Sequence, residues 1–471
     1  MFELIIRLSR YLFIFYIAYF LWQGVRYIAY ERGLMQGNAF LATSKQRIAV
    51  IFMHITAFLI LAYEPGTFSF NYEALMFATG SLVLLIAMNV GVSRIYKGSC
   101  PLIWNGVYFL LTTGLIMLWR LDQNLASRQL IWFFVGAFAM FLVPLFLKLI
   151  PKFEKLEPLY LIAGLGLLCL PFLFGTPEYG ALRSVNIGPL GFQPSEMVKF
   201  LFVFYLASAF RKNKGLLHVI MLCAVSAVYI GILVMQTDLG SALIFFMTFM
   251  VMMYVSTGSE LLFFAGMGAA SAASMVAYRL FWHVRVRVAI WQDPWADVHG
   301  IGHQVVQSLF AIATWGLLGS GLTLGMPQRV PVVARDMMFA AICEELGSLF
   351  GIGLIGVYIM IFYRGAHIAL RCRRKYYSLL AVGFTAMMAF QTFLILGGTI
   401  NLIPLSGVTM PFVSYGGSSV TVSLLMIGIV QWVFMYCSKE ADEGEEGMEV
   451  EDMEIDDEAD IDIAEQEVEE A

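Results

Sequence analysis

Long apolar segments recur along this chain from near its first residue to about residue 437. Only 13% of the residues are charged, about half the share found in a soluble domain, and the mean hydropathy is +0.78. A helix that crosses a bilayer needs roughly 20 apolar residues, and a backbone in lipid must satisfy its own hydrogen bonds. The sequence therefore predicts an all-α polytopic membrane protein.

The apolar segments predict about thirteen membrane spans, or twelve if one early segment lies in the interface. The spans are placed at 11–30, 48–64, 74–93, 101–119, 129–149, 158–175, 195–210, 216–235, 240–256, 260–281, 337–363, 377–398 and 417–437. Loops rich in Lys and Arg favour the cytoplasmic side. They occur at 94–97, 148–155, 211–214 and 371–375. This orientation predicts a cytoplasmic C-terminal tail and external segments at 282–336 and 399–416.

Charge is distributed unequally along the chain. Residues 439–471 contain 18 of the 34 acidic residues and one basic residue, Lys439, which leaves 28 basic and 16 acidic residues elsewhere. An acidic segment without aromatic residues cannot bury an apolar core, so we expect a disordered tail. It is either a solvated tail or a docking segment for a basic partner.

The cysteines and histidines show no motif of a metal site. The six cysteines, at 100, 169, 223, 343, 372 and 437, have no CxxC spacing, and we interpret them as small membrane-helix residues outside disulfides and metal sites. The histidines lack zinc-site spacing, although a carboxylate site for a hard divalent cation stays open. The absence of P-loop and GxGxxG motifs argues against ATP hydrolysis.

Two polar clusters stand at the starts of predicted helices. Glu196 and Lys199 are three residues apart, so they share a helix face and can pair. The pair is either a neutralised helix start or an ion pair that lines a polar cavity. Asp238 precedes another apolar segment, where aspartate is a favoured N-cap.

Two further clusters lie in the segments predicted to be external. Arg285 and Arg287 would share a face in an extended segment, but not in a helix. They either anchor the chain at the interface beside Trp282 and Trp291 or clamp a phosphate group. The sequence PLSGVTMPFVSYGGSS, at 404–419, is either a tight turn or a helix break that lines a cavity.

The long external segment 282–336 is predicted to be structured. Its part from about 304 to 318 is apolar but too short to span, which favours a re-entrant or amphipathic surface helix. Long structured loops of this kind are often functional.

Carboxylates flank an apolar run in VPVVARDMMFAAICEELG, residues 330–347. An ionised carboxylate in lipid costs several kcal/mol, so it is usually absent, paired or functional. On a helix that starts near 336, Asp336, Ala340 and Glu344 would stack on one face. A lone Asp at a helix start is often a cap. Glu344 and Glu345, two turns deeper in the predicted span, imply a polar interior facing Lys199, an arginine or water.

Taken together, these clusters resemble the SEDS family of shape, elongation, division and sporulation proteins, over about residues 101 to 437. The matching elements follow the family's order and are QPSEMVK (193–199), QTDLG (236–240), RVRVAIWQDP (285–294), HQVVQSLFAI (303–312), PVVARDMMFAAICEELG (331–347) and PLSGVTMPFVSYGGSS (404–419). The chain departs from the family pattern at Ser184, Arg335 and Ser406, where the family commonly has Trp, a small residue and Thr.

The resemblance implies a ten-span core at 96–437, after about three extra spans in 1–95 and before an acidic tail at 438–471. It implies a peptidoglycan glycosyltransferase that polymerises lipid II, a disaccharide–peptide on undecaprenyl diphosphate, at the outer face of the cytoplasmic membrane. The implied partners are a class B penicillin-binding protein and other cell-wall synthesis proteins, with no nucleic acid. No cofactor is certain, and a divalent cation, Mg²⁺ or Mn²⁺, is the candidate.

The family's catalytic aspartate corresponds to Asp336, which the resemblance makes the general base toward a sugar hydroxyl. Low-dielectric surroundings raise the pKa of a carboxylate and strengthen it as a base, whereas the adjacent Arg335 would lower that pKa. Arg183, Arg285 and Arg287 are the candidates to stabilise the departing diphosphate. The other residues expected at the substrate cavity are Gln193, Glu196, Lys199, Asp238, Gln304, Glu344, Glu345, Ser414 and Ser418.

Two other functions are compatible with the same residues. A transporter of a lipid-linked precursor would also use intramembrane Glu, Lys and Asp, with essential residues at both faces. A non-catalytic scaffold would depend on the acidic tail more than on Asp336. The sequence does not distinguish elongation, division and sporulation.

Overall fold

The computed structural model describes residues 2–64, 69–149, 153–178, 181–187, 190–212 and 215–440, without the side chains of strand residues 176–183, 186, 187, 190 and 191. The α-helices in this part of the chain are α1 Phe2–Glu31, α2 Ala39–Ala62, α3 Tyr72–Ile95, α4 Pro101–Leu121, α5 Gln123–Leu149, α6 Glu157–Phe174, α7 Pro194–Arg211, α8 Leu216–Met235, α9 Leu239–Thr257, α10 Glu260–Leu280, α11 Trp282–Gln292, α12 His303–Thr314, α13 Met338–Leu346, α14 Ser348–Arg371, α15 Lys375–Thr399 and α16 Gly417–Glu440. The strands are β1 Tyr63–Glu64, β2 Ser69–Phe70, β3 Thr176–Glu178, β4 Ala181–Ile187 and β5 Leu190–Phe192. The predicted acidic tail beyond residue 440 lies outside the described residues.

The prediction of an all-α polytopic membrane protein is confirmed. Over the ranges given above, twelve helices are long and apolar enough to cross a membrane: α1 to α6, α8 to α10 and α14 to α16. The predicted span at 195–210 is α7, which has 18 residues and buries its polar side chains inside the protein. Twelve of the thirteen predicted spans thus each coincide with one helix, α1 to α10, α15 and α16, and the number of crossings stays a prediction.

Helix α4 forms the centre of the bundle. The apolar segment of α4 is entirely buried, and the helix packs against α2, α5 and α14. The N-terminal helices α1 to α3 contact one another and the rest of the bundle, and Asn105 of α4 donates to the side chain of Gln46 and to the Thr43 carbonyl of α2. By contrast, α10 buries none of its residues. The extra N-terminal helices are therefore packed onto the core through apolar and polar contacts.

The single span predicted at 337–363 is wrong, because the helix is broken at Gly347. This glycine has a φ of 95°, and a Cβ at this position would lie 2.4 Å from the Leu317 carbonyl oxygen. Glycine alone adopts such a backbone readily. Helix α13 also begins at Met338, two residues after the predicted start, so Asp336 lies in the preceding turn. Glu344 and Glu345 therefore lie on a short buried helix and not two turns inside a span.

The external segments contain more regular structure than the sequence indicated. The predicted surface helix near 304–318 is confirmed as α12, which buries Val305, Val306, Ser308 and Ala311 on one side. A three-stranded antiparallel sheet, β3–β4–β5, precedes α7 and pairs Thr176 with Ser184 and Val185 with Phe192. These strands were not predicted, because β3 and β5 have three residues each and the seven residues of β4, ALRSVNI, do not alternate strictly between apolar and polar.

Contrary to the interpretation of the cysteines as residues outside disulfides, one pair is bonded in the structure. Cys372, at the end of α14, is bonded to Cys437 in α16, with 5.2 Å between their Cα atoms. The two residues are 65 positions apart, so no local spacing could have indicated the bond. Cys100, Cys169, Cys223 and Cys343 are free thiols.

Candidate active site

A cavity of about 430 Å³ lies at the end of the bundle where α4 ends and α7 begins, which we call the cavity end. Its walls come from α11, α12, the turn before α13 and the segment between α15 and α16. The residues on which its chemistry depends are Gln193, His283, Arg287, Gln304, Arg335 and Asp336. The fold thus brings together groups that are up to 143 positions apart in the sequence, as from Gln193 to Asp336.

Asp336 is held by the backbone of the turn in which it lies. Its N–H donates to the Val332 carbonyl at 3.2 Å, and Val332 has a φ of 54°. A left-handed conformation costs a residue of this kind roughly 1–3 kcal/mol and persists only where its surroundings fix it. Here the Tyr415 N–H donates to the Ala334 carbonyl at 2.8 Å, and the Thr399 hydroxyl lies 3.5 Å from the Asp336 carbonyl. These contacts fix the half-buried carboxylate at the cavity wall.

Two guanidinium groups share the cavity with Asp336. Arg287 of α11 donates to the carbonyls of Leu405 and Ser406 at 2.9 and 3.1 Å, and Arg335 lies 5.8 Å from the ring centre of Tyr415. Among the described residues, Asp336 is the one carboxylate that lines the cavity. Two positive groups around one carboxylate suit an anionic ligand.

The structure does not bring Arg285 and Arg287 together. Both lie on α11, where residues two positions apart point to different faces. Arg285 is exposed, and its guanidinium lies 5.4 Å from the ring centre of Trp282. Arg285 is placed as the interfacial-anchor interpretation expected, and only Arg287 faces the cavity.

His283 is a cavity residue that the sequence analysis did not identify. It lies one turn before Arg287 on the same face of α11, and its Nε2 is buried without a hydrogen-bond partner in the described structure. Burial, with a smaller contribution from Arg287, lowers the pKa of His283. A neutral imidazole can both donate and accept a hydrogen bond. The spacing of four from Arg287 would have indicated it, had α11 been predicted as a helix.

Glu196 and Lys199 lie behind the cavity wall. Lys199 is 1% exposed and donates to Glu196 Oε1 and to Gln391 Oε1, both at 2.8 Å. The Gln391 amide in turn donates to the carbonyl of Thr409, which lines the cavity. The pair therefore supports the wall and does not itself reach the cavity.

Asp238 is buried at the start of α9. It accepts from the Ser241 N–H at 3.2 Å and from the Ser241 hydroxyl at 2.8 Å, as an N-cap does. The neighbouring Thr237, with a φ of 61°, lines the cavity. Asp238 thus lies one residue from the cavity wall and caps a helix.

Glu344 and Glu345 hold the segment that precedes α13. Glu345 Oε1 pairs with Arg120 Nε at 3.0 Å and its Oε2 accepts from the Thr323 N–H, while Glu344 Oε1 accepts from the Met326 N–H at 2.7 Å. Burial raises the pKa of Glu345 to about 7, and Arg120 opposes this rise. Neither glutamate lines the cavity, and the cation that faces Glu345 is Arg120 and not Lys199.

The remaining predicted residues differ in their distance from the cavity. Gln193 and Gln304 line it, and Gln304 donates to the Pro331 carbonyl in the turn that carries Asp336. Ser414 and Ser418 are outside its lining. Ser414 is buried, and its carbonyl accepts from Gln129. The side chain of Arg183 lies outside the described part of the chain.

The donor set of the cavity bears on the predicted divalent cation. No three His, Cys, Asp or Glu residues within the described ranges are grouped to hold a metal ion. A single carboxylate can bind Mg²⁺ only with further oxygen ligands, such as phosphates of a substrate. The divalent cation therefore stays a prediction.

Comparison with known proteins places the chain among cell-wall enzymes. The family model FTSW_RODA_SPOVE, described as "Cell cycle protein", matches residues 101–439. Peptidoglycan glycosyltransferase RodA of Mycobacterium tuberculosis is 32% identical over 378 residues, which cover 74% of this chain and 81% of the relative. Stage V sporulation protein E of Bacillus subtilis is 31% identical, over 69% of this chain and 94% of the relative.

Solved structures show the same fold. A chain of a peptidoglycan synthase complex that coordinates polymerization and crosslinking aligns with a TM-score of 0.64 at 27% identity, over 72% of this chain and 99% of its own length. The rod shape determining protein RodA of Thermus thermophilus aligns with a TM-score of 0.52 at 26% identity, over 72% of this chain and 97% of its own. The matched region includes the cavity, whereas α1 to α3 precede the family match.

Proposed function

The chain belongs to the family of FtsW, RodA and SpoVE, and from this premise we propose that it is a peptidoglycan glycosyltransferase with Asp336 as its general base. The observation that carries the proposal is one cavity in which Asp336 is the single carboxylate among the described lining residues and lies with the guanidinium groups of Arg287 and Arg335. Its family relatives include proteins named peptidoglycan glycosyltransferase. The proposed substrate is lipid II, a disaccharide–peptide on undecaprenyl diphosphate.

In the proposed reaction, a sugar hydroxyl of the acceptor attacks the anomeric carbon of the donor. The new bond joins the hydroxyl oxygen to that carbon, and the bond from the carbon to the diphosphate oxygen breaks. Asp336 takes the hydroxyl proton, which requires its carboxylate to be ionised before the attack. Arg287 and Arg335 stabilise the negative charge that develops on the leaving undecaprenyl diphosphate.

The fixed backbone around Asp336 supports this role. A general base must lie within hydrogen-bond reach of the proton it abstracts, so a carboxylate on a loose loop would be a poor one. The contacts from Thr399 and Tyr415 restrain the turn that carries Asp336, and Arg287 restrains the facing segment through Leu405 and Ser406. The base and the cations are therefore pre-positioned relative to one another.

We propose that the cavity end faces outward from the cytoplasmic membrane, where lipid-anchored sugars are polymerised. The basic loops at 94–97 and 371–375 adjoin the opposite end of the bundle, as the positive-inside rule requires for this orientation. A class B penicillin-binding protein is the proposed partner, which would cross-link the polymerised strands.

The buried pair of Glu196 and Lys199 is the observation from which one alternative, transport of a lipid-linked precursor, could be argued. Ionisable residues inside a membrane protein often line a transport path. In this chain, however, Lys199 is bonded to Glu196 and Gln391 and is 1% exposed. The pair therefore supports a wall more readily than it forms a path.

The test is to give lipid II to the purified full-length protein and to follow both polymerisation and transbilayer movement. We expect glycan polymer on a gel, with or without the partner protein. In sealed vesicles we expect no accelerated movement of lipid II between leaflets. Movement without polymer, in the presence of the partner and of Mg²⁺ or Mn²⁺, would refute the glycosyltransferase and support the transporter.

A further inference from the structure

A second cavity, of about 50 Å³, lies among the extra N-terminal helices, between α2, α3 and α4. Its polar lining residues are Arg47 and His54 of α2, Asn89 of α3 and Tyr108 of α4, and the others, including Leu82 and Ile86, are apolar. It lies outside the candidate active site and, apart from Tyr108, outside the region that the family model matches. The proposed glycosyltransferase reaction uses none of these residues.

Arg47 is an unusual residue for a membrane helix. It lies eight positions after the start of α2, which is one of the twelve candidate spans. Its guanidinium donates to the side-chain oxygens of Asn89 and Ser44 at 3.3 and 3.5 Å, and both partners are neutral. No carboxylate pairs with it in the described part of the chain. Arginine at such a position normally has an anionic or carbonyl partner.

Tyr108 presents a hydroxyl without a hydrogen-bond partner among the described residues to the same cavity. Its side chain is 4% exposed, and its hydroxyl makes no hydrogen bond in the described structure. A buried hydroxyl without a partner is destabilising, because the water contacts that it loses are not replaced. Arg47 and Tyr108 therefore share the need for a hydrogen-bond acceptor, and an anion would serve both.

The surroundings indicate which anion this is. Ser44 lies one turn before Arg47, so the guanidinium points back toward the end of the bundle where α2 begins. This is the end opposite the main cavity, and a helix end lies near the lipid headgroups. Ile86 is 45% exposed on the outer face of α3, so the cavity adjoins a surface that faces lipid chains. A mostly apolar cavity with an arginine and a tyrosine hydroxyl in its lining fits a charged headgroup with an attached hydrocarbon chain.

We propose that Arg47 and Tyr108 bind the phosphate of an anionic phospholipid, whose chain lies along α3 near Leu82 and Ile86. A cavity of about 50 Å³ admits part of a phosphate group, so the rest of the lipid lies at the protein surface. The phosphate accepts from the guanidinium and from the tyrosine hydroxyl, and it gives Arg47 the anionic partner that its neutral contacts with Asn89 and Ser44 do not supply. The lipid would join α2 and α3 to the core helix α4.

The test is native mass spectrometry of the full-length protein, titrated with phosphatidylglycerol or phosphatidylcholine. We expect wild type to retain one phosphatidylglycerol in preference to phosphatidylcholine, and Arg47→Gln to lower that affinity about tenfold or more, as loss of a charge-assisted hydrogen bond does. Lys45→Gln is the matched control, because Lys45 is two positions away on α2 and does not line the cavity. It should leave the affinity unchanged.

Tyr108→Phe separates lipid binding from folding. The change removes only an unbonded hydroxyl, so thermal stability in detergent without lipid should not fall, while phosphatidylglycerol affinity should fall. Glycerophosphoglycerol and inorganic phosphate serve as competitors without chains, and neither should displace the lipid at equal concentration. The proposal is overturned if wild type shows no preference, if Lys45→Gln weakens binding as much as Arg47→Gln, or if Tyr108→Phe binds normally. Displacement by inorganic phosphate would show that the site binds free anions and would overturn the proposal of a lipid site.

Discussion

At the scale of single residues, the proposed chemistry depends on which arginine faces Asp336. Arg285 and Arg287 are equivalent in the sequence motif, and the helical backbone of α11 makes them different. Arg287 lines the cavity and also holds the Leu405 and Ser406 carbonyls, whereas Arg285 is exposed beside Trp282. A clamp formed by both arginines requires an extended segment, and the structure has a helix there.

We expect Arg287→Gln to lower the rate of lipid II polymerisation about 100-fold, because one group that stabilises the leaving diphosphate is lost. Arg285→Gln should retain the rate within about threefold, since that side chain does not reach the cavity. Initial rates on a glycan gel measure both variants. Equal losses in the two variants would show that the effect does not come from the cavity.

At the scale of elements, helix α1 makes polar contacts with other segments near both ends of the bundle. Near its start, Arg10 donates to the Gly319 carbonyl at 2.9 Å, beside the backbone bonds that link Ser320 and Gly321 to Glu344 and Glu345. At its end, Glu31 pairs with Arg364 of α14 through two contacts, at 2.5 and 2.9 Å. The N-terminal helix is thus connected to the segment that supports α13.

The ion pair between Glu31 and Arg364 gives a stability prediction. Arg364 is 2% exposed, so Glu31→Gln leaves a buried guanidinium without its counter-charge. We expect a loss of about 3 kcal/mol, toward the lower end for a broken buried pair because Glu31 is 25% exposed. Thermal unfolding in detergent measures it. Glu3→Gln on the same helix is the control, because Glu3 and Arg7 are about 60% exposed and contribute little. Equal stability of the two variants would contradict a structural role for the buried pair.

Some of the secondary-structure elements and contacts could be predicted from the sequence, and others could not. Apolar length alone predicts the positions of twelve helices, because each run is bounded by charged or helix-breaking residues. The break at Gly347 is not predicted, since the apolar run continues into α14 and the need for a positive φ comes from the approach of Leu317. His283 is missed for a related reason, because its relation to Arg287 exists only on a helix. The Cys372–Cys437 bond depends on the packing of α14 and α16, which no local pattern contains.

At the scale of the whole molecule, the redox state of Cys372 and Cys437 provides a test of the proposed membrane orientation. Cys372 and Cys437 lie at the end of the bundle opposite the cavity, which we propose to be cytoplasmic. Their Cα distance of 5.2 Å permits a disulfide, but cytosolic thiols are kept reduced.

We therefore expect both thiols to be free in growing cells and to form the bond when the purified protein is oxidised. Rapid alkylation of intact cells, followed by mass spectrometry of the two peptides, measures the fraction reduced. Cys343 is a buried free thiol, so its reaction after unfolding serves as the control for complete alkylation. A fully oxidised pair in growing cells would contradict the cytoplasmic placement of this end.

Two isosteric changes test whether Asp336 is the base of the glycosyltransferase. Asp336→Asn removes the proton acceptor from the cavity. Asp122→Asn changes an exposed carboxylate at the cavity end of α4, where Asn can still cap α5 through the bonds to Asn124 and Leu125. With purified, folded protein and lipid II, we predict that Asp336→Asn loses polymerisation by at least about 100-fold, within the range that general-base catalysis contributes, while Asp122→Asn polymerises like wild type. Polymerisation by Asp336→Asn at the wild-type rate would contradict the assignment.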